Sequence, residues 1–217
     1  VKPSLARRMY LLCWDKDKHR LETNSSLVHG PLLRAAAVAD LTIDGLLRDR
    51  GGKAERVGGA ASPPDDDFLS KVLDDVPPDR PRRWFTVVDR DWHTAERSVR
   101  DGLAATGDIE ISRRRALGLF PVRRVAVSDH EGLATLRDRV RSTVLDGHAP
   151  ADVAIEDATL AAFAIDGDVR IVFTPAERRA HKTSCRAVTD HVDTVLPGIR
   201  KALVWSIVAR RTPPSSS

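Results

Sequence analysis

The chain has 217 residues, 41% hydrophobic and 30% charged, with 35 Lys and Arg against 31 Asp and Glu for a net charge of +4. That length suits one domain, or at most two small ones, with a sizeable buried core. A mean hydropathy of -0.29 and the lack of any apolar run near a membrane's width argue against a spanning helix.

The opening Val1-Lys2-Pro3 does not read as a secretory leader. Cys13 and Cys185 are too few for a disulfide framework and are expected to be buried thiols of a reducing cytoplasm. A mild basic excess does not by itself select nucleic acid or acidic lipid, but its distribution says more. Asp65, Asp66 and Asp67 form an acidic run, whereas Arg113, Arg114, Arg115, Arg123 and Arg124 fall within twelve residues that contain no acid. Arg suits phosphate because its planar fork donates two hydrogen bonds at once.

In chain order, Ser4 is placed to cap a helix from Leu5 to about Trp14, followed by a polar turn over Asp15–His19. A second helix is expected from Ser26 or Pro31 to Leu47. Its stretch Leu32–Ala39 is apolar nearly all round, as a central helix would be. Arg34 is the exception there, and needs either a ligand or a carboxylate such as Asp40 or Glu96. Gly51-Gly52 predicts a small hairpin within Leu47–Val57, and Gly58–Pro64 a loop. Phe68, Leu69, Val72, Leu73 and Val76 recur at helical spacing until Pro77-Pro78. Further helices are predicted over Arg82–Val88 and Trp92–Thr106.

After Gly107 the apolar period changes to two: Ile109, Ile111, then Val122, Val125 and Val127. This predicts a β-hairpin over Ile109–Val127 with its tip near Arg114–Gly118. Ser128 and Glu131 then have capping-box spacing, ahead of a helix that aligns Leu133, Leu136, Val140 and Val144. The remaining helices are expected over Val153–Ile165, Pro175–Leu196 and Pro197–Ala209, with a disordered tail over 212–217. The fold expected is mainly α: a single helical domain, residues 1–211, with a projecting β-hairpin.

Signatures of chemistry are scarce. The histidines form no HExxH pattern, and there is no CxxC, GxSxG elbow, P-loop or GxGxxG. His181 and His191 read as structural or solvated, and Asp15–Arg20 lacks the glycine and further acids of a calcium loop. The acidic runs at Asp65–Asp67 and Asp74-Asp75 read as solvated surface. No catalytic residue, metal ligand or cofactor is therefore expected. What stands out is the hairpin, where Arg113, Arg114 and Arg115 adjoin Leu117, Leu119 and Phe120. It is either an ordinary hairpin packed by its apolar side, or an interfacial device whose apolar residues enter a bilayer while its arginines meet phosphates.

The segments Met9–Asp15, Gly30–Leu41 and Ile43-Asp44-Gly45 resemble the opening of the Golgi phosphoprotein 3 family. Later stretches, Trp84, Val99–Gly107 and Leu117–Pro121, are also similar, the last in the form typical of bacterial members. The resemblance spans about Leu5–Ala209. It implies a largely helical domain, peripheral on the cytoplasmic side of membranes. Eukaryotic members bind phosphatidylinositol 4-phosphate, insert a β-hairpin and hold the cytoplasmic tails of glycosyltransferases.

Their headgroup pocket uses a Trp and three Arg. One Arg falls on Arg34, while the Trp falls on Ser25 and the other two on His93 and Glu96. With Arg90 and Arg97 close by, the implied headgroup residues are Arg34, Arg90, His93 and Arg97. The implied membrane-inserting hairpin is Arg113, Arg114, Arg115, Leu117, Leu119 and Phe120. The expected partners are anionic lipids, and cytoplasmic tails of membrane proteins in addition. Two alternatives stand: a nucleic-acid binder using the hairpin as a wing, and a tethering adaptor with vestigial lipid binding. No helix shows the clustered basic and amide face of a base reader, so no nucleic acid is expected.

Overall fold

The computed structural model describes residues 3–59, 64–116 and 120–211, with the backbone alone over 113–116 and 120–124. Ser4 opens helix α1 (Leu5–Leu12), its side chain accepting from the Arg7 N–H. The helix stops two residues short of the expected Trp14 because strand β1 (Trp14–Asp15) pairs antiparallel with β2 (Arg20–Leu21). Asp15 Oδ1 accepts from the backbone N–H groups of Asp17 at 3.0 Å and Lys18 at 3.2 Å, which turns the chain back on itself.

A short 3-10 turn, Ser26–Val28, leads into α2 (His29–Ile43). Every residue of α2 from His29 to Leu41 is buried, as its all-round apolar sequence requires. Its alanines let neighbours approach closely, and Gly30 shows the limit. A Cβ there would lie 2.2 Å from the Trp92 carbonyl oxygen.

Strands β3 (Leu47–Asp49) and β4 (Lys53–Arg56) form the expected small hairpin. A third strand, β5 (Arg82–Arg83), joins the edge of β4 where a helix was expected to start. Between them, α3 (Asp67–Asp74) is capped by Asp66, whose Oδ1 accepts from the Phe68 N–H at 2.8 Å and the Leu69 N–H at 3.2 Å. Its other oxygen accepts from Ser4 Oγ at 3.0 Å and Arg7 Nε at 2.8 Å, so one carboxylate joins α3 to α1.

Helices α4 (Trp84–Asp89) and α5 (Trp92–Ala105) follow, then the antiparallel pair β6 (Ile109–Ala116) and β7 (Phe120–Val127). Helix α6 (His130–Leu145) is capped by Asp129, which accepts from the Gly132 N–H at 2.7 Å. Ser128, the expected cap, instead donates to the Gly107 carbonyl at 2.6 Å and closes the base of the hairpin. Helix α7 (Ile155–Gly167) is buried over most of its surface.

The helix expected over Pro175–Leu196 divides at His181 into α8 (Pro175–Ala180) and α9 (Lys182–Val195), with a capping box at Thr174 and Glu177. The last helix, α10 (Ile199–Arg211), begins after Gly198, at φ +83°, where a Cβ would lie 2.5 Å from the Trp84 ring. The chain is mainly helical with small antiparallel sheets. Helices α1, α3, α4, α5, α7 and α10 all pack on α2. Cys13 and Cys185 are free, buried thiols. Among the described residues no helix is long and apolar enough to cross a membrane. The expected tail over 212–217 lies outside the described residues, as does part of the expected loop over 58–64.

Candidate functional site

The exceptional charge in α2 has a carboxylate partner. Arg34 Nη2 lies 2.6 Å from Asp75 Oδ2, and its Nε donates to the Val87 carbonyl at 3.2 Å. Nη2 also donates to that carbonyl. The side chain is only 4% exposed. Burial lowers the pKa of Arg34, and the hydrogen bond and charge of Asp75 oppose that shift. Asp75 is neither of the acids the sequence suggested. Asp40 instead accepts from the Leu5 N–H at 2.8 Å, and Glu96 lies beside His29.

The far oxygen of Asp75 receives Arg90 Nε at 2.8 Å. Arg34 and Arg90 therefore meet on one carboxylate, where an open phosphate site was expected around Arg34. The other two expected headgroup residues sit elsewhere. His93 is exposed on α5, edge-on to Trp92 with ring centroids 6.0 Å apart. Arg97, one turn further along the same face, lines a groove of about 580 Å³ with Lys71, Asp67 and Arg7.

Ser25, aligned with the family's Trp, belongs to a buried network that no sequence motif announced, and Glu96, aligned with the third Arg, is at its half-exposed edge. Ser25 Oγ lies 2.8 Å from Glu22 Oε1 and 2.9 Å from His29 Nε2. A hydroxyl has one proton, and an ionised Glu22 can only accept it, so His29 must donate through Nε2. His29 Nδ1 is 3.7 Å from Glu96 Oε2, and His29 is the main cause of the lowered pKa of Glu96. Glu22 also accepts from the backbone N–H groups of Arg170 at 3.3 Å and Ile171 at 3.4 Å.

A Ser-His-Glu chain invites comparison with hydrolases. Here Ser25 is 1% exposed and donates to Glu22 rather than to His29, the reverse of the Ser-to-His bond of a hydrolytic triad. The only sequence trace of this network is the four-residue spacing of Ser25 and His29.

A second cleft, of about 510 Å³, opens beside the start of α1 and is lined by Arg8, Asp40, Asp44, Asp66, Asp108 and Glu156 among others. Burial pushes Asp40 up to about 6. Arg8, 5% exposed, is 3.7 Å from Asp157, and its Nε has no hydrogen-bond partner. Among the described residues no group of three His, Cys, Asp or Glu is placed to hold a metal ion.

The hairpin follows directly from α5. Its base is anchored by the buried pair Ile109 and Val127, and Ile111 beyond it is 38% exposed. The register sets Arg113 opposite Arg123, Ser112 opposite Arg124, Arg114 opposite Val122 and Arg115 opposite Pro121. Alternation puts positions 113, 115, 121 and 123 on one face of the ribbon. The backbone of Arg113, Arg114, Arg115 and Phe120 is in the strands, whereas Leu117 and Leu119 lie outside the described residues.

No curated protein matches the chain. The sequence profile of the Golgi phosphoprotein 3 (GPP34) family matches residues 5–204. The central α2, the helical layer around it and the hairpin after α5 thus sit in a chain that belongs to the Golgi phosphoprotein 3 family.

Proposed function

We propose that this domain is a peripheral membrane protein of the cytoplasmic face that binds anionic lipid headgroups, phosphoinositide-like ones among them, through its arginine hairpin. One observation carries the reading. The ladder sets Arg113 directly opposite Arg123, with position 115 on the same face, Arg114 and Arg124 on the other, and no acid within the stretch. Like charges across a strand pair are destabilising unless an anion neutralises them. A lipid phosphate is such an anion, and the adjoining Leu117, Leu119 and Phe120 supply apolar residues suited to the acyl boundary. Exposed Arg90, His93 and Arg97 add polar and basic groups outside the hairpin, while Arg34 is structural, paired with the carboxylate on which Arg90 also rests. Holding the cytoplasmic tails of membrane proteins is a further role this reading accommodates. No catalytic step belongs to it.

The test is co-sedimentation with phosphatidylserine-containing vesicles, vesicles doped with phosphatidylinositol 4-phosphate, and neutral phosphatidylcholine vesicles. Duplex DNA at matched salt is the control. Binding to the anionic vesicles should fall with added salt and exceed binding to the neutral ones. The double variant Leu119→Ser and Phe120→Ser should bind vesicles more weakly at unchanged thermal stability, since insertion residues contribute no core packing. Loss of about 2–5 kcal/mol of stability in that variant would mean the hairpin tip packs on the domain. Equal or tighter binding to DNA would move the function to nucleic acid.

A further inference from the structure

Exposed apolar side chains are unevenly distributed over the molecule. Among the described residues six large ones are exposed: Leu27, Phe85, Ile111, Val195, Trp205 and Val208. Ile111 belongs to the hairpin. Trp205 and Val208 are on α10, and the other three are on the 3-10 turn at Ser26–Val28, on α4 and on α9, each of which packs against α10. Trp205 is 60% exposed and Val208 49%, and with Lys201 they follow the spacing i, i+4, i+7 of one helix face. The other tryptophans are more covered, with Trp14 0% and Trp84 3% exposed and Trp92 half-buried.

Charge identifies what this face meets. Helix α10 contains four basic residues and no acid. Arg200 is paired inward with Asp166 and Asp193, and Arg210 with Asp89 while lying 4.1 Å over the Trp92 ring. Lys201 is exposed, with no carboxylate at ion-pair distance among the described residues, whereas Arg211, also exposed, donates to the Gly167 carbonyl at 3.0 Å. An exposed Trp one turn from an outward Lys, on a helix without acid, is the composition of an interfacial helix on an anionic bilayer. A second copy fits less well, because a two-fold contact would set this acid-free helix against itself and bring its cations together.

We infer that the exposed face of α10, centred on Trp205, is a second membrane contact that lies on anionic lipid. This rests on the membrane reading above and adds a separate element to it. The two contacts are held apart by α5. The hairpin leaves its C-terminal end, Arg210 reaches its first residue Trp92, and fourteen residues of helix span about 20 Å. Where both contacts reach one bilayer, engaging one raises the local concentration of the other.

The probe is a vesicle of phosphatidylserine and phosphatidylcholine with brominated acyl chains, and the readout is tryptophan fluorescence alongside sedimentation of the full chain. Bromine should quench the wild type. Trp205→Phe should still sediment while losing most of the quenchable signal, because Trp14 and Trp84 are buried. Trp205→Ser should melt at the wild-type temperature and bind about tenfold more weakly, as expected if roughly half of a large apolar side chain is withdrawn from lipid. Vesicle binding with no quenching, or with quenching unchanged in Trp205→Phe, overturns the α10 contact and leaves the hairpin reading standing. Failure of the wild type to sediment with any anionic vesicle overturns both. Light scattering that shows a dimer broken by Trp205→Ser at unchanged vesicle binding overturns it in favour of a second copy.

Discussion

Arginine has opposite surroundings in two regions of this protein. In α2, Arg34 is enclosed by Asp75 and the Val87 carbonyl. In the hairpin, Arg113 faces Arg123 across the ladder in a stretch that contains no acid. The first arrangement is closed on itself and holds α2, α3 and α4 together. In the second no acid lies within the stretch, and under the membrane reading lipid phosphate supplies the counter-charge. What separates a structural arginine from a binding one is therefore the source of its counter-charge, which charge and hydropathy along the sequence do not reveal.

The sharpest way to break this comparison is Arg34→Ala. It removes one of the two arginines that meet on Asp75 and leaves the buried Val87 carbonyl without its donor, and should cost about 3 kcal/mol of stability in urea unfolding. Binding of the folded fraction to anionic vesicles should be unchanged. A stable variant that no longer binds would place Arg34 among the headgroup contacts and erase the distinction. Replacing Arg113, Arg114 and Arg115 together by Ser should do the reverse. At about 1 kcal/mol for each basic residue near an anionic surface, vesicle affinity should drop by about two orders of magnitude. Its salt dependence should flatten and the melting temperature should stay put. Unaltered affinity in that folded variant would remove the hairpin from the interface.

A smaller effect tests burial of charge in α2 from the acidic side. Burial raises Asp40 from its ordinary 3.8 to about 6, although the Leu5 N–H opposes the shift. Between those values the folded state holds a proton that the unfolded state has lost, so this contribution to stability falls as pH rises from about 4 to about 6. Asp166, also raised to about 6 by burial, acts over the same window. Glu177 runs the other way. The hydrogen bond from Arg141 lowers it to about 2, so its contribution is present above about 4.5 and is lost as pH falls toward 2. Asp40→Asn should remove part of the slope between pH 4 and 6 and gain on the order of 1 kcal/mol at pH 7. A pH–stability profile superimposable on the wild type's would show that Asp40 is solvated through the adjoining cleft.

The smallest effect is Arg123→Thr, which relieves the like-charge pair opposite Arg113 and should raise stability by about 0.5 kcal/mol in the absence of lipid. A loss of stability would mean that the hairpin arginines are already neutralised within the chain.

Much of the fold was legible from local signals. The stretch Leu32–Ala39, apolar but for Arg34, marked the central helix, the change of period after Gly107 marked the hairpin, and Ser4 marked the start of α1. Features that depend on distant residues were not legible. Strand β5 exists because Arg82 and Arg83 meet the edge of β4, and Asp75 is 41 residues from the Arg34 it neutralises. Ser128 has the spacing of a capping box, yet its hydroxyl is taken by Gly107 and leaves the cap to Asp129. Glu22, Ser25 and His29 lie within eight residues, but Glu96 and the backbone of Arg170 and Ile171, which complete their network, are distant in sequence. The hairpin arginines could be found because they cluster in sequence, whereas the exposure of Trp205 depends on which face of α10 the other helices cover.

The placement of α2 has a consequence for biosynthesis. Its apolar surface is enclosed partly by α10, which emerges from the ribosome about 160 residues later, on the order of 10–30 s at ordinary elongation rates. For that interval the nascent chain carries a helix with no polar side to turn toward water. Holding chaperones therefore have a defined target in Leu32–Leu41, and the yield of folded protein should depend more on their supply than the stability of the finished domain would suggest.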